Sequence, residues 1–170
     1  KRIAKNTIYL YIRTFVSMIV ALYTSRKILE ALGVDDFGIF NVVGGIISLM
    51  SFINGSMSVA TQRYLTYELG RGTEGQFNKV FNMAVYIHAI IAVIVLIAAE
   101  TMGVWFVNTQ LNIPEVRMEA ANWVFQATIL TTILGILQTP YNAAIISHEH
   151  MHIYAYVGLG ETLAKLFIVW

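Results

Sequence analysis

Ser147-His148-Glu149-His150-Met151-His152 matches the pattern His-Glu-x-x-His. On a helix this spacing puts two imidazoles one turn apart on a single face, where both can bind zinc while the glutamate between them activates a water. A catalytic zinc needs a third protein ligand, and the nearest carboxylate on the same stretch is Glu161. Nine residues separate it from His152, which on a continuous helix is half a turn out of phase and about 13 Å along the axis. Glu161 therefore cannot share a metal with His148 and His152. The other groups able to do chemistry are cations and acids set among apolar residues: Arg13, Arg63, His88, Glu100, Glu161 and Lys165. Burying any of these in hydrocarbon costs at least a few kcal/mol unless it faces a partner or water.

Composition defines the elements that must position them. Of 170 residues, 57% are hydrophobic and 12% charged, and the mean hydropathy is +0.65. Soluble domains carry about twice that share of charge, so a membrane protein is expected. A net charge of +1 leaves no basic stripe for a nucleic-acid partner. The absence of cysteine removes disulfides and thiolate metal sites. No cofactor, resident metal or catalytic residue is expected. A chain that opens on Lys1 and stops at Trp170 inside an apolar run is expected to be part of a longer one.

Five apolar stretches, at 7–23, 38–61, 80–106, 118–146 and 153–170, are each expected to cross about 30 Å of hydrocarbon at 1.5 Å per residue. The first is not read as a signal peptide, because no small-residue cleavage site follows it and Arg26-Lys27 come next. With the N-terminus in the cytoplasm, Lys1, Arg2, Lys5, Arg63, Arg71 and Lys79 fall inside, and Arg26, Lys27 and Arg117 outside. That imbalance favours a cytoplasmic N-terminus. In this topology Asp35 and Asp36 lie in the first outer loop and Glu119 in the outer half of the fourth span, all across the bilayer from the histidines at 148–152. The plain reading of those histidines is a polar turn between two membrane helices.

Gly44, Ser48, Ser51, Gly55 and Ser58 form one small-residue stripe along the second span, the usual contact surface of membrane helices, or else a smooth face that slides or rocks. Arg13 either snorkels to the cytoplasmic surface or lines a cavity. Glu161 and Lys165 stand at i and i+4, glutamate first, the favourable order for a pair on one face. His88 reads most simply as a hydrogen-bonded interior histidine, with proton relay as the alternative. Gln138-Thr139-Pro140-Tyr141-Asn142 puts a proline amid polar side chains in the fourth span, where it frees a carbonyl and can bend the helix.

Three groups of residues carry a family likeness: Leu32 to Ile39 (LGVDDFGI), Gln62 to Leu65 (QRYL) with Glu68 to Gly70 (ELG), and Glu149 to Tyr156 (EHMHIYAY). In this order they resemble the N-terminal part of a bacterial polysaccharide flippase of the multidrug, oligosaccharidyl-lipid and polysaccharide exporter superfamily. The resemblance implies an all-α bundle of twelve to fourteen helices in two lobes, of which residues 1–170 would supply most of one. It implies a multi-pass protein of the bacterial cytoplasmic membrane whose substrate is an oligosaccharide on a polyprenyl diphosphate. It further implies no bond making or breaking, and movement by alternating access coupled to protons or sodium. Arg13, Arg63 and Lys165 are then the cations for an anionic head group, with Glu161 tuning Lys165 or exchanging an ion. Drug-exporting relatives carry an acid in the first helix, where this chain has Arg13. A drug/cation antiporter on the same scaffold and an intramembrane zinc protease using His148, Glu149 and His152 stay open as alternatives.

Overall fold

The computed structural model describes the backbone of residues 2–169 and the side chains of residues 7–45 and 54–169. Lys1, Arg2, Lys5, Ser48 and Ser51, which entered the charge count and the small-residue stripe, lie outside the described side chains. Among the described residues there are helices and short turns and no strand. The helices are α1 (Arg2–Gly70), α2 (Phe77–Ala98), α3 (Val104–Thr109), α4 (Glu115–Ser147) and α5 (Met151–Val169).

The polar stretch after the first apolar run, expected as an outer loop, is helical. Arg26 and Lys27 both donate to Glu30 at 2.9 Å, the i to i+4 and i to i+3 spacings that support a helical surface. The one interruption of α1 is Gly33, at φ 76° and ψ 175°, a conformation essentially reserved for glycine. α2 and α3 are joined by a π-helical turn, Ala99–Gly103, which inserts an extra residue per hydrogen-bonded ring and re-aims the side chains beyond it. Gly103 gives that turn its close packing, since a Cβ there would meet the ring of the fully buried Phe125 on α4 at 2.6 Å.

Among the described residues three helical stretches are long and apolar enough to cross a membrane: Thr7–Gly45, Phe77–Thr109 and Glu115–Ser147. The faces of α2 show why this is a membrane pattern. Its buried residues are Ala84, His88, Ala92 and Val95, mostly small. Its outward face carries Met83, Ile90, Ile94 and Ile97, each more than half exposed. A helix in water would reverse this order; one in lipid gains nothing by hiding isoleucine and packs through its small residues.

The chain forms two compact units, residues 1–37 with 145–170, and residues 38–144. In the second, Phe125 and Ile129 of α4 pack with Ala99 and Val107 and with Val43 of α1 around one core, and Ala92, Val95 and Ile136 form another. Thr139 Oγ1 lies 3.0 Å from the Gly135 carbonyl and 2.9 Å from Asn54 Oδ1. Pro140, buried in the same turn and lacking an N–H, leaves the Ile136 carbonyl without its helical donor, one residue beyond the carbonyl that the Thr139 hydroxyl meets. In the described part of the small-residue stripe, a Cβ at Gly44 or Gly55 would meet no neighbour within 4 Å.

Candidate functional site

In the unit of residues 1–37 and 145–170, the start of α1 lies along α5. Tyr9 meets Tyr156 edge to face with centroids 6.2 Å apart. One turn on, the Arg13 guanidinium carbon sits 4.2 Å from the centre of the Tyr154 ring. Another turn on, the Ser17 and Thr162 hydroxyls are 3.1 Å apart. Tyr9 meets Tyr156, Arg13 lies against Gly158 and Ser17 meets Thr162, so positions rise on both helices and the two run parallel, with the Arg13 guanidinium reaching back to Tyr154. Beyond Ser17 the seam opens into an apolar recess of about 570 Å³ lined by Ile19, Val20, Tyr23, Leu163, Leu166 and Phe167.

Arg13 occupies this seam because α5 has no side chain opposite it. A Cβ on the buried Gly158 would run into Arg13 Nε and stand 2.7 Å from the guanidinium carbon. Tyr154, one turn earlier on α5, supplies the π face below the cation. The Nε atom is buried and has no hydrogen-bond partner among the described residues. The side chain as a whole is half-buried. Arg13 stands about 9 Å beyond Thr7 along the helix, which places a partly desolvated guanidinium within the apolar stretch rather than at its edge.

Lys165 follows on the same side of α5. Seven residues after Gly158 is nearly two full turns, so Gly158, Thr162 and Lys165 share one stripe, with Lys165 about 10 Å further along. Both Lys165 and Glu161 are exposed. The cations Arg13 and Lys165 are therefore brought to one seam, the first between two helices and the second on its open flank. Arg63 belongs to the other unit, exposed beside Tyr64 and Tyr67 in a recess of about 490 Å³.

His88 is 1% exposed, with Nδ1 2.8 Å from the Ala84 carbonyl. A carbonyl only accepts, so Nδ1 carries the hydrogen. Nε2 is buried with no partner among the described residues. Glu100, in the π turn, accepts a hydrogen bond from Gln126 Nε2 at 3.0 Å, and Asn108 and Asn122 exchange two amide hydrogen bonds at 3.0 and 2.9 Å. These tie the α2 to α4 hairpin together with polar clasps.

The segment at 147–152 does not present a helical His-Glu-x-x-His face. α4 ends at Ser147, and Glu149 takes a left-handed conformation at φ 58°. The His150 N–H donates to Ile145 O at 3.1 Å and the Glu149 N–H to Ile146 O at 2.9 Å. This is the paired-bond helix stop in which the left-handed position is usually glycine. Its last member, His150, then opens α5 by accepting from Ile153 and Tyr154. The helix breaks between His148 and His152, and the His150 ring lies between theirs, with centroids 6.1 Å from His148 and 5.7 Å from His152. The three rings contact one another as aromatic faces and edges, and among the described residues no group of three ligating side chains is placed to hold a metal ion. Replacing Glu149 by Gly should leave the protein about 1 kcal/mol more stable than replacing it by Ala, since both lack the carboxylate and only Gly accepts a positive φ without strain. Thermal unfolding of the two variants in one detergent checks this, and equal midpoints would contradict it.

Gly158 and Tyr154 were not singled out as partners of Arg13 from sequence. Their only local signal is a glycine one turn after an aromatic residue. Comparison of this chain with protein-family models, curated proteins and solved structures finds no match.

Proposed function

We propose that this chain is the N-terminal part of one lobe of a flippase. It carries polyprenyl-diphosphate-linked oligosaccharide across the bacterial cytoplasmic membrane for surface polysaccharide synthesis. In this proposal five segments cross the bilayer, the break at Gly33 separates the first two, and the N-terminus and the turn at 147–152 are cytoplasmic. The parallel run of α1 and α5 supports placing those two ends together.

The observation that carries the proposal is Arg13, a guanidinium at membrane depth set between two helices on a tyrosine ring with an N–H unpartnered among the described residues. An always-charged, planar donor fork is the side chain suited to a diphosphate, and its location on the seam turns it toward protein instead of lipid. Lys165 continues the cationic path on the same stripe, and Glu161 on the adjoining flank would tune it or exchange a proton or sodium ion. Exposed charges on α5 are costly against acyl chains, so that flank would face the water-filled cavity between lobes. Arg63 would recruit the anionic head group at the cytoplasmic mouth. Arg13 in place of an acid is the feature that disfavours a drug/cation antiporter.

Complementation of a flippase-deficient strain with the complete protein tests this. Arg13→Ala and Lys165→Ala should each lower surface polysaccharide while membrane insertion is retained, and Arg13→Lys should restore less than full export because an ammonium cannot make the bidentate contact. Unimpaired export in both alanine variants would refute the assignment, and a changed accumulation of cationic drugs in its place would favour the antiporter.

A further inference from the structure

The recess at Arg63 does not end at the phenols. Ala60 and Tyr64 line it and also line a second, apolar groove of about 400 Å³ formed by Met57, Thr61, Val80, Met83, Ile87 and His88. The two cavities share a wall and run from a cation at one end to a buried imidazole at the other. Among the described residues Arg63 makes no ion pair. The nearby acid Glu68 is already engaged, 3.5 Å from Arg71 and accepting the Gln76 N–H at 2.7 Å. Tyr64 and Tyr67 stand 67% and 65% exposed beside the guanidinium, with hydroxyls that can donate to an anion. The groove is open along its side, where Met83 is 56% and Ile87 43% exposed. From Val80 to His88 it follows about 12 Å of helix.

From this juxtaposition we infer that the Arg63 recess and the adjoining groove bind one anionic phospholipid of the surrounding leaflet, its phosphate on Arg63 and one acyl chain laid between Met57 and Ile87. The charge complementarity selects the head group. A lone unpaired guanidinium flanked by phenols suits a phosphate diester, and the apolar groove that starts at the same tyrosine suits the chain that must leave such a head group. The site opens sideways, so a lipid enters it from the bilayer without crossing the protein. The inference stands whether or not the chain is a flippase, because it needs only a membrane around these helices.

The test uses the purified protein in phosphatidylcholine vesicles containing a minor fraction of phosphatidylglycerol with a photoactivatable diazirine on one acyl chain. After irradiation, cross-linked peptides are mapped. Adducts should fall on residues 57–64 and 80–88. Labelling there should drop about tenfold or more in Arg63→Gln, since a charge-assisted contact to phosphate is worth at least one decade of affinity. It should also drop in Met83→Trp, which fills the groove from an exposed position, with helix content unchanged in both variants. The same diazirine on phosphatidylcholine should label these peptides weakly. Equal labelling by the two lipids, or labelling indifferent to Arg63→Gln, would reduce the groove to ordinary lipid contact and overturn the inference.

Discussion

Gly158→Ala should destabilise the protein by about 1–3 kcal/mol, although alanine is the better helix former by about 1 kcal/mol. The added methyl group has no room, because the Arg13 guanidinium fills its position. Either the cation leaves the Tyr154 ring, giving up an interaction of about 1–2 kcal/mol in a partly desolvated place, or the two helices part. The sign should reverse once the obstacle is gone. In an Arg13→Ala background, Gly158→Ala should be neutral or stabilising, since only the helix preference remains. Thermal unfolding of the four proteins in one detergent completes the cycle. Additive effects would mean that Arg13 does not occupy the niche, and the assignment of that cation to the seam would fall with it.

Gly33→Ala should cost about 1–3 kcal/mol by a different route. A Cβ at Gly33 would meet nothing within 4 Å, so no clash contributes and the whole penalty lies in the backbone. At φ 76° and ψ 175° the residue is outside the left-handed helical region that asparagine tolerates. Gly33→Asn should therefore be no better than Gly33→Ala, in contrast to Glu149, whose φ of 58° marks an ordinary helix stop. Urea or thermal unfolding distinguishes the cases. A Gly33→Ala protein as stable as wild type would show that α1 can run straight through this point.

The all-helical, lipid-compatible character was legible in the sequence, because long apolar runs with few charges leave little choice. The turn at 147–152 was legible as a turn; its mechanism was not, since the left-handed stop falls on Glu149 where glycine would be the usual sign. The stretch after Tyr23, expected as an outer loop because it falls between the first two apolar runs, is helical. Arg26, Lys27 and Glu30 instead decorate one side of a continuing helix. The π turn at Ala99–Gly103 leaves no trace in apolar spacing, and it became visible only through the packing of Phe125 on Gly103. Arg13 stood out by type, but its partner lies 145 positions away, and no local pattern links an arginine to a distant glycine.

That separation has a consequence for biogenesis. The first helix leaves the ribosome long before α5 exists, and at about 5–20 residues per second the nascent chain needs on the order of ten seconds or more to produce Tyr154 and Gly158. Throughout that interval Arg13 has no ring to rest on. A chain stalled before α5 would carry that guanidinium among apolar residues with neither its ring nor its niche, so the order of synthesis leaves the most costly side chain of the first helix unshielded until α5 arrives.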